Sequence, residues 1–267
     1  MGNTNRGFIL TSDQRDIAGK SCLEFWLVSA DGPIKVSTAA QQALFFISQQ
    51  DVAQVQDILA QSNIPSTFKA LSLKRFDQQN VCAVYFSRTQ QAYAAKERLR
   101  VQGVECYEAD IRLADRYLME RFIYASADII GHKQEGGNYP SYAESQLKPA
   151  QYTPTFSVLS IDIECSEHGE LYSIGLVSAD YQKVLMIGEA QEGPAWIEWI
   201  DDEKMLIQQF IHEVQHLDPD ILIGWNVVNF DFRLLIERAQ RYGLKLTLGR
   251  GNEAVYWRDA PNEVNQG

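Results

Sequence analysis

Phe156-Ser157-Val158-Leu159-Ser160-Ile161-Asp162-Ile163-Glu164 is β-branched and apolar for most of its length, which predicts a strand. Asp162 and Glu164 stand two residues apart, so a strand projects both carboxylates from one face. Their repulsion has to be offset by something positive, or one of them has to hold a proton. Hard divalent cations such as Mg²⁺ are the usual partners of carboxylate oxygens. The plain alternative is a strand end whose acids face solvent.

Working outward, 171–177 and 184–187 read as two further strands, with turns at His168-Gly169 and at Asp180. Six acids and no base fall between 189 and 203, as in a solvated loop that runs into a helix start. Leu206, Phe210, Val214 and Leu217 form one helical stripe, and Asp218-Pro219 ends that helix. Residues 220–224 read as a short buried strand. The loop 225–229 then leads into a helix from Phe230 to Tyr242, stopped by Gly243. Three strands joined by short turns predict an antiparallel meander. The fourth returns through a helix and can lie parallel to one of them, giving a mixed sheet.

If the fourth strand neighbours the first, Asp231 joins Asp162 and Glu164. Three converging carboxylates are costly without a metal. Taken alone, the Asn and Asp residues of 226–231 also suit simple capping of a helix N-terminus.

The first part of the chain is different in charge. Residues 1–150 hold 16 Lys/Arg and 16 Asp/Glu, whereas 151–267 hold 8 and 19, so the whole net charge of −11 lies in the second part. Such asymmetry predicts two domains, 1–150 and 151–267, with Gly136, Gly137, Pro140, Pro149 and Pro154 marking the boundary over 133–154. The first part reads as mixed α and β. Strands are expected at 8–10, 23–28, 34–36, 68–73, 81–86 and 104–107, and helices at 51–60 and 90–102. Residues 69–121 are locally basic, with 10 Lys/Arg against 7 Asp/Glu, as an ordinary solvated helix face also is.

The length of 267 residues suits about two domains. With 45% hydrophobic and 22% charged residues, disorder is excluded. The four cysteines are scattered, which argues against zinc and a disulfide framework. No apolar run is long enough to span a bilayer, and 1–6 do not read as a secretory signal. Gly2 lacks the Ser or Thr that a myristoylation motif needs at Arg6. The expected compartment is the cytoplasm.

Ile161-Asp162-Ile163-Glu164 followed by 169–176 resembles the first exonuclease motif of B-family DNA polymerases. Residues 220–231, with Asn226, Phe230 and Asp231 in the N-x-x-x-F-D core, resemble the second. Residues 107–112 and 116–121 resemble the segment that precedes the exonuclease domain in that family. The resemblance runs over essentially the whole chain. It implies an α/β and α+β architecture: a mixed N-terminal domain followed by an RNase H-like 3′→5′ exonuclease domain. It implies a Mg²⁺ or Mn²⁺ two-metal site at Asp162, Glu164 and Asp231, in the service of DNA replication and repair. It also implies DNA contacts from Asn226, Phe230 and Cys165, the last where the family usually has Thr. The implied partners are a 3′ single-stranded primer end and the palm, fingers and thumb of a longer polymerase.

The family's third motif, Y-x-x-x-D, is not found after Asp231, since Tyr256 is followed four residues on by Ala260. The chain is therefore expected to be an N-terminal piece ending inside the exonuclease domain, and by itself weakly active or inactive. Two other readings compete with this one: a stand-alone nuclease of the same superfamily, and a non-catalytic module that binds nucleic acid through its basic stretch.

Overall fold

The computed structural model describes residues 5–257. Gly2 and the segment 258–267, with Ala260, lie outside them. The chain divides into two compact units, the first ending at Thr155 and the second starting at Phe156.

The first unit begins with the strands β1 (Asn5–Ile17), β2 (Lys20–Ser29) and β3 (Gly32–Thr38). Then come β4 (Ala43–Ser48), α1 (Val52–Gln61), β5 (Thr67–Lys74), β6 (Asn80–Phe86), α2 (Thr89–Val101) and α3 (Leu113–Met119). The unit ends with β7 (Ser126–Gln134) and β8 (Ser141–Pro149). The unit's strands build two structures rather than one sheet. β1, β2, β3, β8 and β7 close into a barrel around Leu23, Phe25, Leu27, Val36 and Leu147. β4, β6 and β5 form a separate sheet, whose core with α1 and α2 includes Phe45, Val55, Leu59, Phe86 and Leu99.

Two readings of this unit need correction. The division falls just after 133–154 rather than within it, because β8 takes up 141–149 of that stretch and pairs with both β3 and β7 to close the barrel, and the second unit starts at Phe156. Gly136, Gly137 and Pro140 mark the turn between β7 and β8, while Pro149 ends β8 and Pro154 follows it. Nor do residues 104–107 form a strand. Only Tyr107 reaches the β4 edge, where it exchanges backbone hydrogen bonds of 2.8 and 3.0 Å with Phe46.

The second unit contains β9 (Val158–Cys165), β10 (Leu171–Val177), β11 (Gln182–Ile187), β12 (Ile197–Ile200), α4 (Glu203–Leu217), β13 (Ile221–Ile223) and α5 (Arg233–Arg241). The sheet order is β12-β11-β10-β9-β13. β9, β10 and β11 form the antiparallel meander, and β13 lies parallel to β9, as the RNase H-like reading requires. Both helices contribute to one core, with Leu159, Ile161, Ile163 and Ile174 from the sheet, Phe210 from α4 and Leu235 from α5. α4 is capped by Asp202, which accepts from Met205 N–H at 2.8 Å, and it ends at Asp218 in the left-handed conformation. β13 is half-buried rather than buried, because it is an edge strand with a neighbour on one side only.

Candidate active site

β9 separates its residues by face. Leu159, Ile161 and Ile163 enter the core, while Val158, Asp162 and Glu164 are exposed on the other side. Gly175 on β10 stands directly opposite Asp162. Opposed residues of an antiparallel pair share a face, and glycine has no side chain there, so the sheet beside the Asp162 carboxylate stays open.

Asp231 arrives from the other side of β9. Gly224, at the end of β13, lets the chain turn close against Ile161. Asn226 takes a left-handed conformation with φ 52°, a geometry that Asn tolerates better than most residues. Val228–Phe232 then forms a wide π-helical turn, with Phe230 N–H donating to the Asn226 carbonyl at 3.0 Å and Phe232 N–H to that of Val227 at 2.8 Å. Such single wide turns recur at functional sites. This one turns Asp231 inward, to 2% exposure, and leaves Phe230 47% exposed. The expected helix from Phe230 therefore opens as a π turn, with α5 proper starting at Arg233. Asp231 does not serve as its cap, because the N-cap positions Val227 and Phe232 carry no side-chain bond.

The buried Asp231 carboxylate is raised above the usual carboxylate range. Burial is the main cause and the Asp162 charge adds to it, while the N–H groups of Asp231 itself and Ile163 pull the other way. Among the described residues no Lys, Arg or His pairs with Asp231. A buried carboxylate beside a second carboxylate, with no cation of the protein's own, is a donor set that fits a hard oxygen-seeking ion.

The other expected site residues are placed differently from one another. Among the described residues, no three His, Cys, Asp or Glu side chains come close enough to hold a metal together, so Glu164 does not complete a trio. It lies two residues along the strand, about 6.6 Å from Asp162 in backbone rise, and is solvent-exposed. Cys165 is turned to the opposite face and packs against the core. Asn226 and Phe230 are exposed on the loop that carries Asp231. Sequence reasoning passed over two features: Trp225, 92% exposed on that same loop, and Gly175 opposite Asp162. The strand pairing alone reveals the second.

Solved structures give a likeness of fold first. The family B DNA polymerase from the hyperthermophilic archaeon Pyrobaculum calidifontis matches 93% of this chain and 34% of that one, with a TM-score of 0.75 at 21% identity, a likeness of fold. In sequence, DNA polymerase II of Escherichia coli (strain K12) is 38% identical over 258 residues, covering 95% of this chain and 32% of that protein. A DNA polymerase of Archaeoglobus fulgidus is 25% identical over 264 residues, covering 94% of this chain and 32% of that protein. The chain thus spans about a third of the length of these relatives. The family described as DNA polymerase family B, exonuclease domain, matches residues 104–258, more than half of the chain. The chain belongs to that family.

Proposed function

We propose that the chain is the N-terminal third of a DNA-directed DNA polymerase, and that its second unit carries the 3′→5′ proofreading exonuclease. The observation that carries this reading is the juxtaposition of buried Asp231 with Asp162, uncompensated by any cation among the described residues. Asp162 and Asp231 hold Mg²⁺ or Mn²⁺, and Glu164 contributes from the same strand face. When bound, these ions activate water and stabilise the leaving oxygen of a phosphodiester.

The protein's own contribution is binding and orientation. Phe230 and Trp225 offer exposed rings for stacking the unpaired bases of a 3′ end, because every base has a π-face. Asn226 presents its polar side chain beside them. Cys165 faces the core and is left with a packing role. The remaining polymerase domains supply synthesis, in the service of DNA replication and repair in the cytoplasm. Among the described residues no helix is long and apolar enough to cross a membrane.

The test is a Mn²⁺ titration of the purified chain by electron paramagnetic resonance. Asp162→Ala and Asp231→Ala are each expected to weaken binding at least tenfold. Release of nucleotides from a 3′-labelled single-stranded oligonucleotide should be weak or absent already in the parent chain; robust release that vanishes in Asp162→Ala would favour a stand-alone nuclease instead. Mn²⁺ affinity indifferent to both substitutions would overturn the assignment.

A further inference from the structure

His212-Glu213-Val214-Gln215-His216 on α4 spells H-E-x-x-H, the pattern that in metalloproteases sets two imidazoles on one helix face with a glutamate base beside them. The two imidazoles lie side by side on the helix surface. Side chains four apart on a helix are neighbours. Both histidines are exposed, and their rings stack with 6.3 Å between centroids and 19° between planes.

The glutamate is occupied elsewhere. Glu213 is buried and turned toward β11, from which Lys183 Nζ donates to Oε1 at 2.8 Å, as does Gln209 Nε2 from one turn back on α4. Tyr181 donates its hydroxyl to Oε2. Both carboxylate oxygens are therefore committed within the fold, and neither is available to a water on the solvent side of the helix. Among the described residues no third His, Cys, Asp or Glu joins the two histidines.

We propose that His212 and His216 form a chelating site for a borderline transition cation (Ni²⁺, Cu²⁺ or Zn²⁺), with water completing the coordination sphere and no hydrolytic activity of its own. Imidazole suits these ions, whereas Mg²⁺ prefers oxygen donors. The site is thus chemically separate from the Asp162–Asp231 pair and does not depend on the polymerase reading. The cation is held by imidazole nitrogens at about 2.0–2.1 Å if it is zinc.

The experiment is a calorimetric titration of the untagged 267-residue chain with Ni²⁺ at pH 8. His212→Gln and His216→Gln are each expected to weaken Ni²⁺ binding at least tenfold. His132→Gln and His168→Gln, which change the other two exposed histidines, should leave it within twofold. Both substituted histidines are exposed, so the variants should fold, as far-ultraviolet circular dichroism would verify. Binding within twofold of the parent in both histidine variants would overturn the proposal. The Zn²⁺-loaded chain should leave casein intact. Cleavage that disappears in Glu213→Gln would overturn the assignment of a site without hydrolytic activity.

Discussion

Gly224 lies so close to β9 that a Cβ added to it would stand 2.6 Å from the Ile161 carbonyl oxygen and 3.1 Å from Val227 Cβ. The obstacle at Ile161 is backbone in an interior strand, which cannot swing aside as a flexible side chain does. This close approach seats the loop that delivers Asp231 beside Asp162.

Gly224→Ala should therefore push that loop away from β9. A stability loss of about 1–3 kcal/mol is expected from overpacking, read by urea unfolding. Mn²⁺ affinity should fall with it. A variant that unfolds more easily yet binds Mn²⁺ as before would show that the seat of the loop does not control the carboxylate pair.

Asp231→Asn should stabilise the metal-free chain. The substitution keeps the shape and removes a buried charge that burial and Asp162 both disfavour. The gain is expected to be on the order of 1 kcal/mol, or a few degrees in melting temperature. Mn²⁺ should abolish the advantage by stabilising the parent and not the variant. A lower melting point for the variant without metal would count against the uncompensated pair.

Glu203 sets a limit at acid pH. Burial alone would raise its carboxyl, but hydrogen bonds from Arg238, the Leu171 N–H and the Tyr242 hydroxyl outweigh burial and hold it below the usual range. A depressed carboxyl contributes its stability in full above the unfolded-state value of about 4.3, and loses it as pH falls through the folded-state value. Glu203→Gln should cost about 3–5 kcal/mol at pH 7, because Arg238, only 6% exposed, is left buried without its partner. The difference between parent and variant should shrink in denaturant titrations toward pH 3.

Arg250 ties the segment after α5 to the start of β13. Its Nε donates to Asp218 Oδ1 at 2.7 Å, and its Nη2 donates to the Asp218 carbonyl and to Asp220 Oδ1, both at 2.9 Å. Asp220 Oδ2 in turn accepts from Ser157 N–H at 2.9 Å, next to β9. A lysine keeps the charge but not the planar fork. Arg250→Lys should lose about 1–3 kcal/mol, measured by thermal unfolding. A change within 0.5 kcal/mol would show that the fork is dispensable.

Local periodicity made much of this legible. The alternation of Ile161, Asp162, Ile163 and Glu164 states which side chains share a face, because a strand's period is 2. The stripe from Leu206 to Leu217, ended by Asp218-Pro219, gave α4 its observed limits, Glu203–Leu217. What escaped were elements formed by their partners. β12 sits in an acid-rich segment and exists through parallel pairing with β11. β8 lies in a Gly- and Pro-rich stretch that reads as a domain boundary, and it is a strand through its pairing with β3 and β7, which closes the barrel.

The sequence by itself determined that Asp162 and Glu164 share a face and that Asp231 follows a strand returned through a helix. Both are consequences of spacing along one chain. Tertiary structure alone decided that buried Asp231 lies within reach of the Asp162 charge, and that Cys165 turns to the core. It likewise committed Glu213 to Lys183 and Tyr181 rather than to the two histidines that flank it. The physical reason is common to all of these. Which carboxylates meet depends on strand register, on the width of one helical turn and on a glycine's missing Cβ, and each of these is set by contacts between residues far apart in the chain.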